Sequence, residues 1–380
     1  MTQLKMTRQP KLTVAILAIG SATILALLLW PRSADRETTP AMAPSGSDAA
    51  RETGARPMAA QRVSRSRAGE RSAPSAASAV PHLAQTLIRV MSGDQEVFKL
   101  SPEAIESFLR QNRTNAESLL AAYQVTQDPS YLKLAAEQHP NEPLVAFQIV
   151  GHNVFPEQQR EWLDRFKALD PDNALANYLS ARQYFQTAQP QQAIEELQAA
   201  ATHPGIHDYL RERMQGLEEL YLRSGMPPAE AKALGMTGLA LPMLPQLNEL
   251  AQEALALQRQ YAAAGDTASA EALAQYQVLL ARDLNQGQGA TCLVNQRVGM
   301  AMERGALALL DPAQTYDFLG QSPAERLAAL QSQTARMQEA IRWFGQWLPQ
   351  AGDTELIAYI DRVKLYGEPA AIQWLRGQQP

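Results

Sequence analysis

The residues best suited to chemistry are few. His203 and His207 stand four apart, with Asp208 beside the second. On an unbroken helix two such imidazoles reach one metal ion, but Pro204-Gly205 interrupts the spacing. His139 occupies the same place at another junction of the chain, which favours a structural turn role. Cys292, the sole cysteine, follows Thr291, a residue suited to cap a helix. A thiol at a helix N-terminus is acidified and reactive; a buried, inert thiol is the commoner arrangement. One cysteine excludes an intramolecular disulfide framework, a Cys-rich zinc site and a Cys-x-x-Cys redox motif. Glu195-Glu196 and Glu218-Glu219 fall on charged helix faces and read as solvated surface. The chain has no P-loop, no H-E-x-x-H, no G-x-S-x-G and no kinase signature, and Gly287-Gln288-Gly289 lacks both a third glycine and a preceding strand. Sequence reading therefore assigns no catalytic residue, no metal ligand and no cofactor.

The elements around these residues say more. The chain has 380 residues, 46% of them apolar and 19% charged, with 34 basic against 39 acidic residues for a net charge of −5. That composition folds, and the length accommodates one to three domains. From residue 83 onward there are 23 basic and 34 acidic residues, a charge of −11. Such a surface repels phosphate and argues against nucleic acid as a partner.

Leu12 to Trp30 is 19 residues without a charge, which as a helix spans about 28 Å, near the hydrocarbon thickness of a bilayer. A cleavable signal has a shorter apolar core and a small-residue site directly after it. Here Trp30-Pro31-Arg32 follows, and Ala41-Met42-Ala43 lies far downstream, so a retained anchor is favoured over cleavage. Lys5, Arg8 and Lys11 precede the segment. They place residues 1–11 in the cytosol and the bulk of the chain outside, in the periplasm of a bacterium. Ala18, Ala22 and Ala26 recur every four residues, a spacing that would let two membrane helices approach and form a homo-oligomer; alanine is abundant throughout the chain, and that plain explanation of the spacing is favoured. Residues 31–82 are rich in Ser, Ala, Pro and Arg and have no aromatic side chain; they are expected to be a disordered tether.

Beyond the tether the periodicity is helical almost throughout, so the fold class expected is all-α. Ser101-Pro102, Asp311-Pro312 and Ser322-Pro323 each place a capping side chain before a proline, the pattern of a helix start. Gly265-Asp266-Thr267 divides two antiparallel helices, Gln246–Ala264 and Ala268–Leu284. Three similar junctions, at 135–142, 167–174 and 200–207, carry Pro140, Pro171 and Pro204, spaced 31 and 33 residues apart. A period near 34 residues belongs to helical-hairpin arrays.

The unit 174–204 carries the clearest pattern: Ala181 and Tyr184 on a first helix, Ala193, Leu197 and Ala200 on a second, and Pro204 at the close. It resembles the tetratricopeptide repeat. Asn177 and Ser180 depart from it, standing where that family has a large aromatic residue and leucine. Units near 109–140 and 141–171 match more loosely through Leu132, Ala135 and Trp162-Leu163. The resemblance spans roughly 83–205. It implies a helical array in which first helices line a groove for a protein or peptide partner, with Tyr184 and Leu197 filling the space between helices. Asn177 and Arg182 are the binding residues expected on that groove. Residues 206–380 read as helical without the period. Within them, Gly235–Pro245 reads as a buried connector. Leu327, Leu330, Thr334, Met337, Ile341, Phe344 and Leu348 form a heptad stripe that suits a coiled coil but equally intramolecular packing. The function expected is a membrane-anchored, non-catalytic interaction scaffold or envelope assembly factor. The alternative is an enzyme whose site is assembled from scattered residues of 206–380.

Overall fold

The computed structural model describes residues 82–286 and 291–378. The apolar segment at 12–30, the tether expected at 31–82 apart from His82, which opens the first helix, and the glycines at 287–289 lie outside them. Among the described residues sixteen α-helices and no strand occur, apart from a single bridge between Tyr316 and Gln321. None of these helices is long and apolar enough to cross a membrane.

Two short helices, α1 (His82–Met91) and α2 (Pro102–Gln111), precede three consecutive helix pairs. The pairs are α3 (Ala116–Thr126) with α4 (Pro129–Gln138), α5 (Pro143–His152) with α6 (Gln159–Leu169), and α7 (Ala174–Gln186) with α8 (Pro190–Ala200). Local chemistry sets their ends. Asn115, Asp128 and Asn173 accept hydrogen bonds from backbone N–H groups at the starts of α3, α4 and α7, satisfying donors that a helix leaves free. Proline opens α4, α5 and α8, where its missing N–H costs nothing. The second helices begin at 129, 159 and 190, a repeat of 30 and 31 residues. The chain is thus helical with repeated helix pairs.

The two helices of each pair are buried differently. In α4, α6 and α8 three residues each are buried, spaced as one stripe: Leu132, Ala135 and Ala136; Trp162, Leu163 and Phe166; Ala193, Leu197 and Ala200. In α3 the run Ser118–Tyr123 is buried without a gap, in α5 the run 145–150, and in α7 the run 174–181. A helix buried on every face lies inside the molecule, not along an open groove.

The cover comes from the chain itself. Helix α9 (Leu210–Arg223) packs on α3, and α11 (Met243–Ala263) packs on α7. Gln246 donates to Gly151 O at the end of α5 (2.9 Å), Arg182 of α7 pairs with Glu249 (2.6 Å), and Tyr178 of α7 donates to Asp283 of α12 (Thr267–Asn285) at 2.9 Å. One hydrophobic core joins the pairs to Leu241–Leu284 and Met302. The boundary expected at 205/206 is therefore not a break in the packing. Asp266 caps α12 after the turn at Gly265 (φ 79°), as that tripeptide predicted.

A second core unites α1, α9, α10 (Pro228–Thr237), α13 (Leu293–Leu307), α14 (Pro323–Trp347), α15 (Asp353–Tyr366) and α16 (Glu368–Gln378). Ser322 and Glu325 form the capping box of α14. The heptad stripe packs inward: Leu330, Met337, Ile341, Phe344 and Leu348 are buried, and Thr334 accepts from Arg304 (2.8 Å). Gly235–Pro245 is buried as expected along most of its length, but its ends are helical, closing α10 and opening α11. Asp311-Pro312 opens no helix. Asp311 Oδ1 accepts from Ala313 N in a turn (2.9 Å), an Asx turn that competes with helix initiation.

Candidate binding site

The residues expected to bind are engaged within the chain. Asn177 is buried, and its Nδ2 donates to Glu196 Oε2 (2.9 Å). Lys167 pairs with the other oxygen of Glu196 and also donates to Ser180 Oγ (3.1 Å), to which Arg160 donates as well (2.7 Å). The two departures from the repeat pattern, Asn177 and Ser180, thus belong to one polar cluster tying α6, α7 and α8 together. Arg182 is held by Glu249 and Gln246 of α11. Tyr184 is half-buried, not buried as the repeat pattern predicted; its ring lies 4.9 Å from the Arg160 guanidinium. Each glutamate pair splits: Glu195 and Glu219 are exposed, whereas Glu196 and Glu218 are largely covered and paired with lysines. Lys232 and Lys364 both reach Glu218.

The histidines do not converge. His139 Nε2 donates to Thr114 O (2.8 Å), the turn role its position implied. The His207 ring packs on Tyr209, and its nitrogens lie 3.9 Å from Asp170 and Glu212. Among the described residues no group of three His, Cys, Asp or Glu side chains is arranged to hold a metal ion.

Open space gathers instead around the start of α9. After α8 the chain runs irregularly to Tyr209, whose φ of 53° turns it into α9. That turn buries Asp208, which accepts from Leu210 N (3.2 Å) and Thr291 Oγ1 (2.9 Å). Thr291 O in turn accepts from Glu368 N (2.8 Å), and Glu368 Oε2 accepts from Leu293 N (3.0 Å) at the start of α13. Gly367 joins α15 to α16 at φ 82°, and a Cβ there would sit 3.0 Å from Thr291 O, so the clasp needs glycine. Burial raises the Asp208 carboxyl, against the opposing charge of Arg213 and its hydrogen bonds, and pushes Glu368 up to about 7. Burial also pushes the Cys292 thiol up, with Glu368 adding to it, which is opposite to an activated nucleophile.

Above this clasp lies a cleft of about 380 Å³ lined by His207, Arg211, Glu212, Lys364 and Tyr366 among others. Leu365 and Tyr366 stand 51% and 64% exposed in its wall, and Arg362 lies over the rings of Tyr366 and Trp374. An adjoining apolar pocket of about 50 Å³ shares Leu210, Thr291 and Val363 with the cleft and adds Met214, Met236 and Leu241. On the other side of α9 a third, small cavity of about 20 Å³ lies against α3 and α5.

Sequence reading did not single out Arg213, Gln148 or Glu368. A signal existed for the first two. Arg213 occupies a core-facing position of α9, on the stripe with Leu217, Leu220 and Tyr221, and Gln148 interrupts the apolar run Leu144–Val150. A charge or amide inside a buried stripe is costly unless used. Glu368 had no such mark, because only the fold brings it to α13. Compared with known protein families, curated proteins and solved structures, the chain matches none.

Proposed function

We propose that the protein is a non-catalytic interaction scaffold of tetratricopeptide-like helix pairs. Its apolar segment at 12–30 tethers it to a membrane with the helical body outside the cytosol. The observation that carries this reading is the wide cleft at the start of α9, with Leu365 and Tyr366 exposed in its wall. The other face where such arrays bind partners is closed by α9 and α11. A half-exposed aromatic beside an apolar pocket is the kind of anchor position at which protein partners dock. The partner contact thus moves from Asn177 and Arg182 to the α9–α15 cleft. A photo-crosslinking residue at position 366 of the full-length chain, in its native membrane, should join one discrete partner. The same probe at Gln198, on the outer face of α8, should not. Equal labelling from both positions would remove the cleft from the account.

The enzyme reading retains one supporting observation. Glu368, held near 7 by burial at the edge of the apolar pocket, has the proton affinity of a general acid or base. Turnover of a small molecule that Glu368→Gln abolishes, with crosslinking unchanged, would favour that reading.

A further inference from the structure

The cleft between the start of α9 and the end of α15 carries two arginines whose donors the fold leaves free. Arg211 is exposed in its lining. Arg362 stands one turn before Tyr366 on the same face of α15. It is half-buried, with its guanidinium 4.2 Å from the centre of the Trp374 ring and 5.8 Å from that of Tyr366. Among the described residues neither guanidinium has a hydrogen-bond or ion-pair partner. Stacking uses the face of a guanidinium, whereas its N–H donors lie in the plane and point outward. The rings therefore hold Arg362 in place and leave its fork open. The neighbouring charges are spent. Lys364 pairs with Glu218 and donates to Gln215, and Asp361 pairs with Lys232. Asp208 is buried and accepts from Thr291 and Leu210. Glu212 is the exposed acid of the lining, and a nitrogen of His207 lies 3.9 Å from it.

We infer that this cleft takes an acidic segment of a partner polypeptide, its Asp or Glu carboxylates held by Arg362 and Arg211 and an adjoining apolar side chain laid on Leu365 and Tyr366. The charges choose the occupant. The body carries −11 from residue 83 onward, yet here unpaired positive charge stands beside apolar side chains that are 51% and 64% exposed. A carboxylate fills a guanidinium fork with two parallel hydrogen bonds. A carboxamide or a hydroxyl offers one neutral oxygen and leaves the charge unmatched, and an ammonium is repelled. A phosphate also fits the fork, but it brings nearly two charges to a place where Glu212 and an acidic body oppose it. A nucleic acid multiplies that repulsion. The apolar neighbour follows from Leu365 and Tyr366, which an isolated carboxylate would leave in water. Both arginines are reached from solvent, so no buried group has to be uncovered for the partner to bind.

The inference rests on the interaction reading and names the chemistry of its partner. The probe is the peptide acetyl-Leu-Glu-Leu-Glu-Leu-amide with a neutral dye. The same peptide with glutamine or with phosphoserine in place of both glutamates serves for comparison. Fluorescence polarisation with the full-length chain in detergent reads binding, and contacts with detergent are common to all proteins compared. The glutamate peptide should bind about fivefold more tightly than the glutamine peptide, as expected of solvent-exposed ion pairs. The preference should shrink as salt rises from about 0.05 to 0.5 M. It should fall to about twofold in Arg362→Gln or Arg211→Gln and vanish in the double variant. Arg211 is exposed and unpaired, so its variant folds whether or not the ring stack of Arg362 is needed, and an unchanged unfolding midpoint checks both. Equal binding of the glutamate and glutamine peptides, or a preference that survives the double substitution, would overturn the inference. Tighter binding of the phosphoserine peptide would overturn it as well and assign the cleft to phosphorylated partners. Crosslinking from position 366 that finds no partner would remove the docking site itself. A discrete crosslinked partner without the preference for glutamate would remove the carboxylate alone.

Discussion

The inner helices α3, α5 and α7 and the outer helices α4, α6 and α8 come from the same repeating unit, yet they are buried in different ways. The outer helices bury one stripe of three residues each, and the inner ones bury runs of six to eight. An outer helix needs only an amphipathic sequence. An inner helix needs a second layer above it, and α9, α11 and α12 supply that layer. The groove that a bare array would offer is filled by its own chain. The polar residues of α7 therefore complete internal hydrogen bonds, and among the described residues open space gathers around the start of α9.

The largest test of this contrast introduces a charge into each layer. Ala176→Arg, at a fully buried position of α7, should cost more than about 4 kcal/mol and abolish cooperative unfolding. Gln198→Arg, exposed on α8, should stay within about 0.5 kcal/mol. Similar, small effects at both positions in denaturant titrations would mean that α7 faces an open groove.

Phe147 of α5 bridges the layers. Its ring lies 6.2 Å from Phe166 in the outer helix and 5.3 Å from Tyr209 at the cover. Phe147→Ala should cost about 3–5 kcal/mol in unfolding free energy.

The cover also makes stability depend on pH. Burial pushes Asp283 of α12 up to about 6, against its hydrogen bond from Tyr178 of α7. A carboxyl whose folded pKa is raised binds its proton more tightly in the folded state, so its contribution is full below pH 4 and is lost as pH rises to about 6. Relative to Asp283→Asn, the wild type should lose on the order of 3 kcal/mol over that window. Using the difference matters, because His152 of α5 runs the other way. Burial, with Arg213 adding to it, lowers the imidazole to about 4, so stability gains as pH rises from 4 to 6.5. A difference that is flat with pH would show that Asp283 is solvated and the cover open.

Tyr184 gives the smallest loss expected of a packed side chain. Half-buried against Arg160, its replacement by alanine should cost about 1 kcal/mol. A loss above about 3 kcal/mol would restore it to the core position that the repeat pattern assigned.

The layers were partly written in the sequence. Capping residues such as Asn115, Asp266 and Ser322 and the prolines opening α4, α5 and α8 act locally, so the helix starts they mark could be read without the fold. Asp311-Pro312 misled because an Asx turn uses the same residues as an N-cap. The stripes in α4, α6 and α8 had helical spacing and were visible too. The near-continuous apolar runs of α5 and α7 were present as composition, but nothing local says what covers them. That depends on contacts such as Tyr178 with Asp283, 105 residues apart. The candidate site was hidden for the same reason. Glu368 reaches Leu293 across 75 residues, and only Arg213 and Gln148 carried a local mark, as polar residues in apolar stripes.

One covalent test addresses the closed inner layer most directly. A Cβ built at Gly151, at the end of α5, lies 3.4 Å from the Cβ of Pro242 at the start of α11. That separation is close to the range spanned by a disulfide. The full-length double variant Gly151→Cys with Pro242→Cys, made with Cys292→Ser, should form an intramolecular disulfide nearly quantitatively under mild oxidation. Non-reducing electrophoresis and intact mass would show it. Two free thiols that remain reducible-label reactive after oxidation would contradict the closed layer and return the first helices to an open groove.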